Sequence, residues 1–446
     1  MSFQQGLSGL NAASKNLDVI GNNIANSGTY GAKSSRAEFQ DVYAGALNGA
    51  GSSPVGIGVS LGAVAQQFTQ GNISTTESPM DLAINGGGFF QVSDGINPVQ
   101  YSRNGQFKLN KEGFIVNNSQ LKLLGYPADA TGVIQPGLAQ PLKLPTSGIA
   151  PQATSSITTE FNLDSRAAAT APGADHTGLG INLTDPSTYN NATSMTTFDA
   201  KGQDVAVTLY FQKGATSATN GSTVYNVYAT ANGKNFTTDS AGAVIAKNAA
   251  GNPTTPYTTI TFPREGGKPI SPTGAIDMRI PAGVNARGAA TLPIPSDPPP
   301  AAVQFNLTGA TENGSSFAVT NLTQNGYAPG QLAGILIENS GIVMARYSNG
   351  QSKPAGQIEL ASFRSPQGLQ PMGGNVWART VTSGEPVVGI PGDGNLGALQ
   401  SGALEESNVD LTAELVNMVT AQRAYQASAQ TIKTQDQVLQ TIVNLR

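Results

Sequence analysis

The sequence has no cysteine and a single histidine, His176. The first absence excludes disulfides, thiolate zinc sites and cysteine nucleophiles. The second excludes two-histidine metal sites and leaves any Ser-His-Asp triad dependent on one residue in the loop-like run TAPGADHTGLG. Charge is also scarce. Only 12% of the 446 residues are charged and the formal net charge is −4, so no basic surplus exists to hold a phosphate backbone. No stretch approaches the roughly 20 apolar residues of a membrane helix. The opening MSFQQGLSGLNAASKNLDVIGNN lacks the charged start and continuous apolar run of a secretory signal. We therefore expect no nucleic-acid partner, no membrane insertion and, if the chain is exported, a route that cleaves no signal.

What is abundant is turn chemistry. The 53 Gly and 27 Pro, with many Ser, Thr and Asn, predict short strands and turns, and 39% apolar residues suffice to fill cores. Runs such as DLAINGGGFFQVS, QFKLNKEGFIVN, QLKLLGYPA, DVAVTLYFQK, STVYNVYATANG, QLAGILIEN, GIVMARYSN and GQIELASFR alternate apolar and polar residues between Gly/Asn turns, which predicts strands. Residues 45–62 read as a flexible or extended connector. The Pro-rich LPIPSDPPPAA (292–302) reads as a hinge or domain boundary.

The two ends differ from this middle. Phe3, Leu7, Leu10, Leu17 and Ile24 follow an interrupted coiled-coil seam. Gly6, Gly9 and Gly21 each lower helix propensity by about 1 kcal/mol relative to Ala, so this helix should form only against a partner. At the other end Leu411, Leu415, Met418, Gln422, Tyr425, Ala429, Ile432, Asp436, Leu439 and Val443 step by four and three. Asn408 or Asp410 can cap the start. A helix over 409–445 would be on the order of 55 Å long at 1.5 Å per residue. Such a rod has no obvious burial site on its own domain, so we expect both ends to be largely disordered before assembly and to be buried on neighbouring copies.

Candidate chemistry is thin. Gly392-Asp393-Gly394-Asn395-Leu396-Gly397 matches G-x-G-x-x-G but lacks the preceding strand and following helix of a dinucleotide site. Gly86-Gly87-Gly88 lacks the Lys and Ser/Thr of a phosphate loop. Both are expected to be turns. Asp199, Asp204, Glu265, Asp277 and Asp297 are scattered, and nothing selects a catalytic pair among them. Trp377, the only tryptophan, is expected to anchor packing. No catalytic residue, metal or cofactor is assigned.

The stretch Asn22-Asn23-Ile24-Ala25-Asn26-Ser27-Gly28-Thr29-Tyr30-Gly31 resembles the N-terminal motif of bacterial flagellar rod and hook proteins, with Asn22, Asn23, Ala25, Asn26 and Gly31 as its marked positions. ESPMDLAINGGGFFQV (77–92) and YSRNGQFKLNKEGFIVN (101–117) resemble the inner-domain strands of that family. YSNGQ (347–351), SPQGLQPMGGNVW (365–377) and residues 399–446 resemble its C-terminal half. The resemblance implies a mainly β fold with terminal coiled-coil helices, a discontinuous inner β domain and a second β domain inserted within it. The corresponding expectation is an N-terminal helix over 1–30, a connector over 31–71, an inner domain from 72–150 plus 302–375, an inserted domain over 151–301, a connector over 376–408 and a C-terminal helix over 409–446. Length and the large insertion favour a hook-type subunit. Such a subunit polymerises into a curved, flexible tube that transmits motor torque to the filament. A distal rod subunit, or a secreted β-rich adhesin or enzyme, is the alternative. The resemblance further implies export by the flagellar type III apparatus to an extracellular hook. It implies contacts with copies of itself and with distal rod, hook cap and hook-filament junction proteins.

Overall fold

The computed structural model describes residues 2–42, 56, 58–129, 131–170, 180–214, 216–217, 221–295 and 302–444. His176, Asp297 and most of the expected connector at 45–62 lie outside the described residues. The chain is mainly β with two long terminal helices, and it divides into two compact units. One comprises 1–146, 333–346 and 352–446; the other comprises 147–332 and 347–351.

In the first unit, helix α1 (Ser2–Ala25) is followed by an antiparallel pair of strands, Ser35–Val42 and Gly58–Gln66, with Ser35 opposite Gln66 and Val42 opposite Gly58. Among the described residues the expected connector at 31–71 thus contains a strand pair. Its glycines read as flexible, whereas its alternation SRAEFQDV against GVSLGAVAQ finds its ladder across a long gap in sequence.

The inner β body is a sheet in which Leu332–Ile337, Ile342–Tyr347, Ser352–Ile358, Lys122–Pro127, Phe89–Ser93, Gln100–Ser102, Val376–Ala378 and Gln370–Gly373 are successive neighbours. Successive side chains on a strand point to opposite faces, and the sheet uses both. Phe90, Val92, Leu123, Ile358 and Leu360 pack on one face. Phe89, Tyr101, Ala361, Phe363 and Trp377 pack on the other. Trp377 is the expected anchor: its ring stands edge-on to Phe68 at 5.5 Å and Phe89 at 5.9 Å, and its Nε1 donates to Gln66 Oε1 at 2.6 Å.

The segment 376–408 is not a connector. Ala398–Ser401 pairs with Leu82–Asn85, and Ala403–Glu405 pairs with Ile73–Thr75. The two glycine clusters, one weighed as a dinucleotide fingerprint and the other as a phosphate loop, meet each other here. Gly397 N–H donates to the Gly87 carbonyl, and a Cβ on Gly397 would stand 2.5 Å from the Asn85 carbonyl oxygen. Both are turns, packed too closely for a side chain at Gly87 and Gly397.

The second unit is a two-sheet sandwich. Ser156–Asp164 pairs in parallel with Val303–Asn306 and Thr311–Asn313, and antiparallel with Ala318–Gln324. The other sheet contains Asn191–Phe198, Asp204–Lys213, Thr223–Ala231 and Thr258–Phe262. Alternate residues Val205, Val207, Leu209 and Phe211 are fully buried and meet Ile157, Phe161, Leu163 and Phe305 in one core. The expected boundary at 301/302 is therefore misplaced. Residues 303–324 complete the sheet begun at 156, so the inserted unit runs on to Leu332.

Candidate assembly surface and its junction

Both terminal segments are helical in the structure rather than disordered, and they pair with each other. Helix α2 spans Leu411–Asn444, 34 residues, or about 51 Å. Asp410 caps it, its Oδ1 accepting from Thr412 N–H at 2.9 Å and Ala413 N–H at 3.1 Å. Helix α1 runs antiparallel to it. Asn23 Nδ2 donates to Glu414 Oε1 at 3.2 Å near one end. Near the other, Gly6 faces Ile432 and Gly9 faces Ser428.

The contact face of α1 is not the expected seam. Gly6, Ala13 and Ile20, spaced by seven, are buried, as is Asn23. A Cβ on Gly6 would stand 3.0 Å from Ile432 Cγ1, and one on Gly9 would stand 3.1 Å from Ser428 Oγ. These glycines weaken the isolated helix, but here they let two helices approach closely. Leu10, Leu17 and Ile24 are half-buried on the flank, while Phe3 and Leu7 are 46% and 44% exposed.

On α2, Met418, Ala429 and Ile432 are half-buried and Ala421 is buried. Leu411, Leu415 and Val419 are 46%, 47% and 49% exposed, and Tyr425 and Leu439 are exposed too. Positions four apart share a helix face, so Leu411, Leu415 and Val419 form one continuous apolar row. Val419 was outside the expected seam because its row drifts from the strict heptad. The side chain of Val443 lies outside the described residues.

The residues after α1 build a junction with the β body. Asn26 N–H donates to the Asn22 carbonyl at 3.1 Å and its Nδ2 donates to the same oxygen at 2.9 Å, closing the helix. Asn23, buried, reaches across with its amide. Its Nδ2 donates to the Ser35 carbonyl and its Oδ1 accepts from Ser35 N–H, both at 2.8 Å. Gly31 has φ +70° and a Cβ there would stand 2.6 Å from Asn104 N, so only glycine fits. Ala25, by contrast, is exposed. The marked motif is therefore mostly a helix stop and a turn.

Beneath it lies a buried ionic cluster that no local sequence pattern marks. Glu405 accepts from Lys33 Nζ at 2.5 Å and from Arg103 Nη1 at 3.1 Å, and its Oε1 also accepts from Gly71 N–H at 2.9 Å. Burial holds the Lys33 ammonium below its usual range, with Glu405 pulling the other way.

The carboxylates weighed as a glycosidase pair have structural partners. Asp199 accepts from Lys201, Gln203 and Leu292 N–H groups, Asp204 from Asn285, and Asp277 from Gln304. Glu265 lines a cavity of about 710 Å³ in the second unit, beside Lys213, Arg264 and Glu312. The Lys213 ammonium there donates to the Ser165 and Ala167 carbonyls and lies 3.9 Å from Glu312 Oε1. Among the described residues no group of His, Asp and Glu is arranged to hold a metal ion, and no helix is long and apolar enough to cross a membrane.

Comparison with known proteins gives the same reading along the whole chain. Four family profiles match in order: flagella basal body rod protein over 3–33, flagellar hook protein FlgE/F/G D1 domain over 83–161, flagellar basal body protein FlaE D2 domain over 162–327, and flagellar basal body rod FlgEFG protein C-terminal over 400–445. The flagellar hook protein FlgE of Salmonella typhimurium is 41% identical over 448 residues, covering 100% of both chains. The chain belongs to the flagellar hook protein family. The hook protein FlgE of Escherichia coli K12 is likewise 41% identical over 451 residues, and that of Borreliella burgdorferi 30% identical over 471. A solved Helicobacter pylori hook protein, FlgE2, aligns with a TM-score of 0.47 at 12% identity, covering 74% of this chain and 100% of that one. As a hook-family member the chain is a structural subunit of the bacterial flagellar hook and basal body, not an enzyme.

Proposed function

We propose that the chain polymerises into the hook through the faces of α1 and α2 that their mutual pairing leaves uncovered. The observation that carries this is the row Leu411, Leu415 and Val419, about half exposed along a helix that α1 contacts at Glu414, Ser428 and Ile432. Burying each such side chain fully contributes about 1.5–3 kcal/mol relative to exposure, so covering the exposed half of several of them supports a stable contact. Phe3 and Leu7 extend the surface on α1, with Leu10, Leu17 and Ile24 on its flank. Leu411, Leu415, Met418, Tyr425 and Leu439 extend it on α2. Ile432 serves the intramolecular pair instead. A contact between unlike faces that does not close on itself yields an open helical filament, which suits a tube.

The two β units present surfaces poor in charge and rich in Ser, Thr, Asn and Gly. Many small, interchangeable contacts allow neighbours to slide as a curved tube rotates, which is what a universal joint for motor torque requires. Family membership supports export by the flagellar type III apparatus without a cleaved signal. It also supports end contacts with the distal rod, hook cap and hook-filament junction proteins. The test replaces Leu411, Leu415 and Val419 together by Gln, a good helix former. Retained helix content with loss of tubes in electron micrographs is expected. Tubes formed at the wild-type critical concentration would overturn the reading.

A further inference from the structure

The ionic cluster at Glu405 lies at the root of the terminal helices, not within either β core. Its three charged members come from distant parts of the chain. Lys33 follows α1, Arg103 belongs to the inner β body, and Glu405 ends the last strand before α2. Both Lys33 and Glu405 side chains are fully shielded from solvent. The cluster also gathers the backbone around it. Lys33 Nζ donates to the Thr69 carbonyl at 2.8 Å, Arg103 Nη2 donates to the Gly86 carbonyl at 2.9 Å, and Gly31 N–H donates to the Glu405 carbonyl at 2.8 Å. Next to it Asn408 Oδ1 accepts from Ser34 N–H at 2.7 Å, and its Nδ2 donates to the Gln67 carbonyl at 2.8 Å. One carboxylate therefore holds the exit of α1, the return of the strand pair and the entry to α2 against a single arginine of the body.

We propose that Glu405, with Lys33 and Arg103, is a positioning cluster that fixes the direction in which the paired terminal helices leave the inner β unit, and so sets the curvature of the assembled tube. This rests on the assembly reading above. The physical reason is directional. Apolar contacts at the junction tolerate small rotations, whereas a carboxylate shared by two buried cations and an N–H has one satisfied geometry. Buried ion clusters contribute little net stability against apolar replacements, and fixing a unique arrangement is a role some of them fill. The cluster carries two positive charges and one negative. Lys33→Met with Glu405→Gln keeps the same net charge of the site, and the glutamine oxygen still accepts from Gly71. Both ion pairs of the carboxylate are removed, which also leaves Arg103 without its carboxylate and the Thr69 carbonyl without the Lys33 donor.

The test reads the double variant K33M/E405Q twice. In the soluble full-length chain, hydrogen exchange is expected to rise at least tenfold over residues 26–34 and 67–72 and to stay unchanged over 82–92 and 204–231. In the polymer, micrographs are expected to show tubes whose curvature is broader or altered. Equal acceleration over 82–92 would mean that the cluster merely supports the inner core and would overturn the proposal, as would unchanged exchange and unchanged curvature. If the double variant does not fold, Glu405→Asp, which keeps every charge and shortens the reach, is read the same way against the same two outcomes. Failure of the wild-type chain to form tubes would sink the assembly reading, while the exchange result would still decide whether the cluster positions the helices.

Discussion

Gly6 and Gly21 occupy the same helix and carry the same intrinsic penalty, about 1 kcal/mol relative to Ala, yet they should differ sharply in what replacement does. Around Gly21 nothing lies within 4 Å of an added Cβ. Gly21→Ala should therefore stabilise α1 in the soluble chain by close to the full propensity difference. At Gly6 an added Cβ meets Ile432 Cγ1 at 3.0 Å and the Ser428 carbonyl at 3.8 Å. Ordinary carbon–carbon contacts lie near ~3.5–4.0 Å, so even Ala requires Ile432 to shift by several tenths of an ångström, which offsets most of the propensity gain. Gly6→Leu goes well beyond this, and overpacking of that kind costs about 1–3 kcal/mol, enough to part the helices. Thermal melts followed by far-UV circular dichroism, with hydrogen exchange over 425–435, should rank Gly21→Ala above wild type and Gly6→Leu below it. Trimming the opposing side chain with Ile432→Ala should recover much of the loss in the Gly6→Leu background, because the two sites share one contact. The reasoning fails if Gly6→Leu melts with wild type and leaves α2 equally protected, or if Ile432→Ala adds independently to it.

Two further outcomes follow from single groups. Asp410→Ala removes the acceptor for two N–H groups at the start of α2 and should cost about 1 kcal/mol of helix stability, seen as earlier fraying of 411–418 by hydrogen exchange. Glu359 is 3% exposed, accepts from Tyr126 Oη at 2.9 Å and has no cation among the described residues. Burial raises its pKa, so the folded chain holds this proton more tightly than the unfolded chain. Its stabilising contribution is full below the ordinary carboxylate range and is lost as pH rises through the raised value. Glu359→Gln should remove that decline, so that its melting temperature gains on wild type towards neutral pH; a constant difference across pH would contradict this.

The helices were the most legible part of the chain, because their period is written in consecutive residues and Asp410 stands where a cap must. Which face each helix turns inward was not legible. The larger apolar positions mark the flank, and the pairing face is marked by Gly6 and Gly9, residues that a hydrophobic pattern passes over. The strands were readable one by one from alternation, but their partners were not. Residues 303–324 belong to the inserted unit because their ladder is with Ser156–Asp164, far back along the chain, which alternation alone does not reveal. The cluster at Glu405 was invisible for the same reason, its members being separated by 372 and 302 positions. Asn23 and Gly31, by contrast, were found through resemblance, and the structure supplies their physical reason.

The central claim, that α2 completes its burial only on other copies, is tested most directly by comparing the full-length chain with one ending at Asp410, both examined by electron microscopy at equal concentration. The prediction is curved tubes from the full-length chain and none from the shortened one, whose Trp377 emission and β-type circular dichroism remain those of the folded units. Tubes from the shortened chain, or a full-length chain that stays monomeric at every concentration, would contradict it.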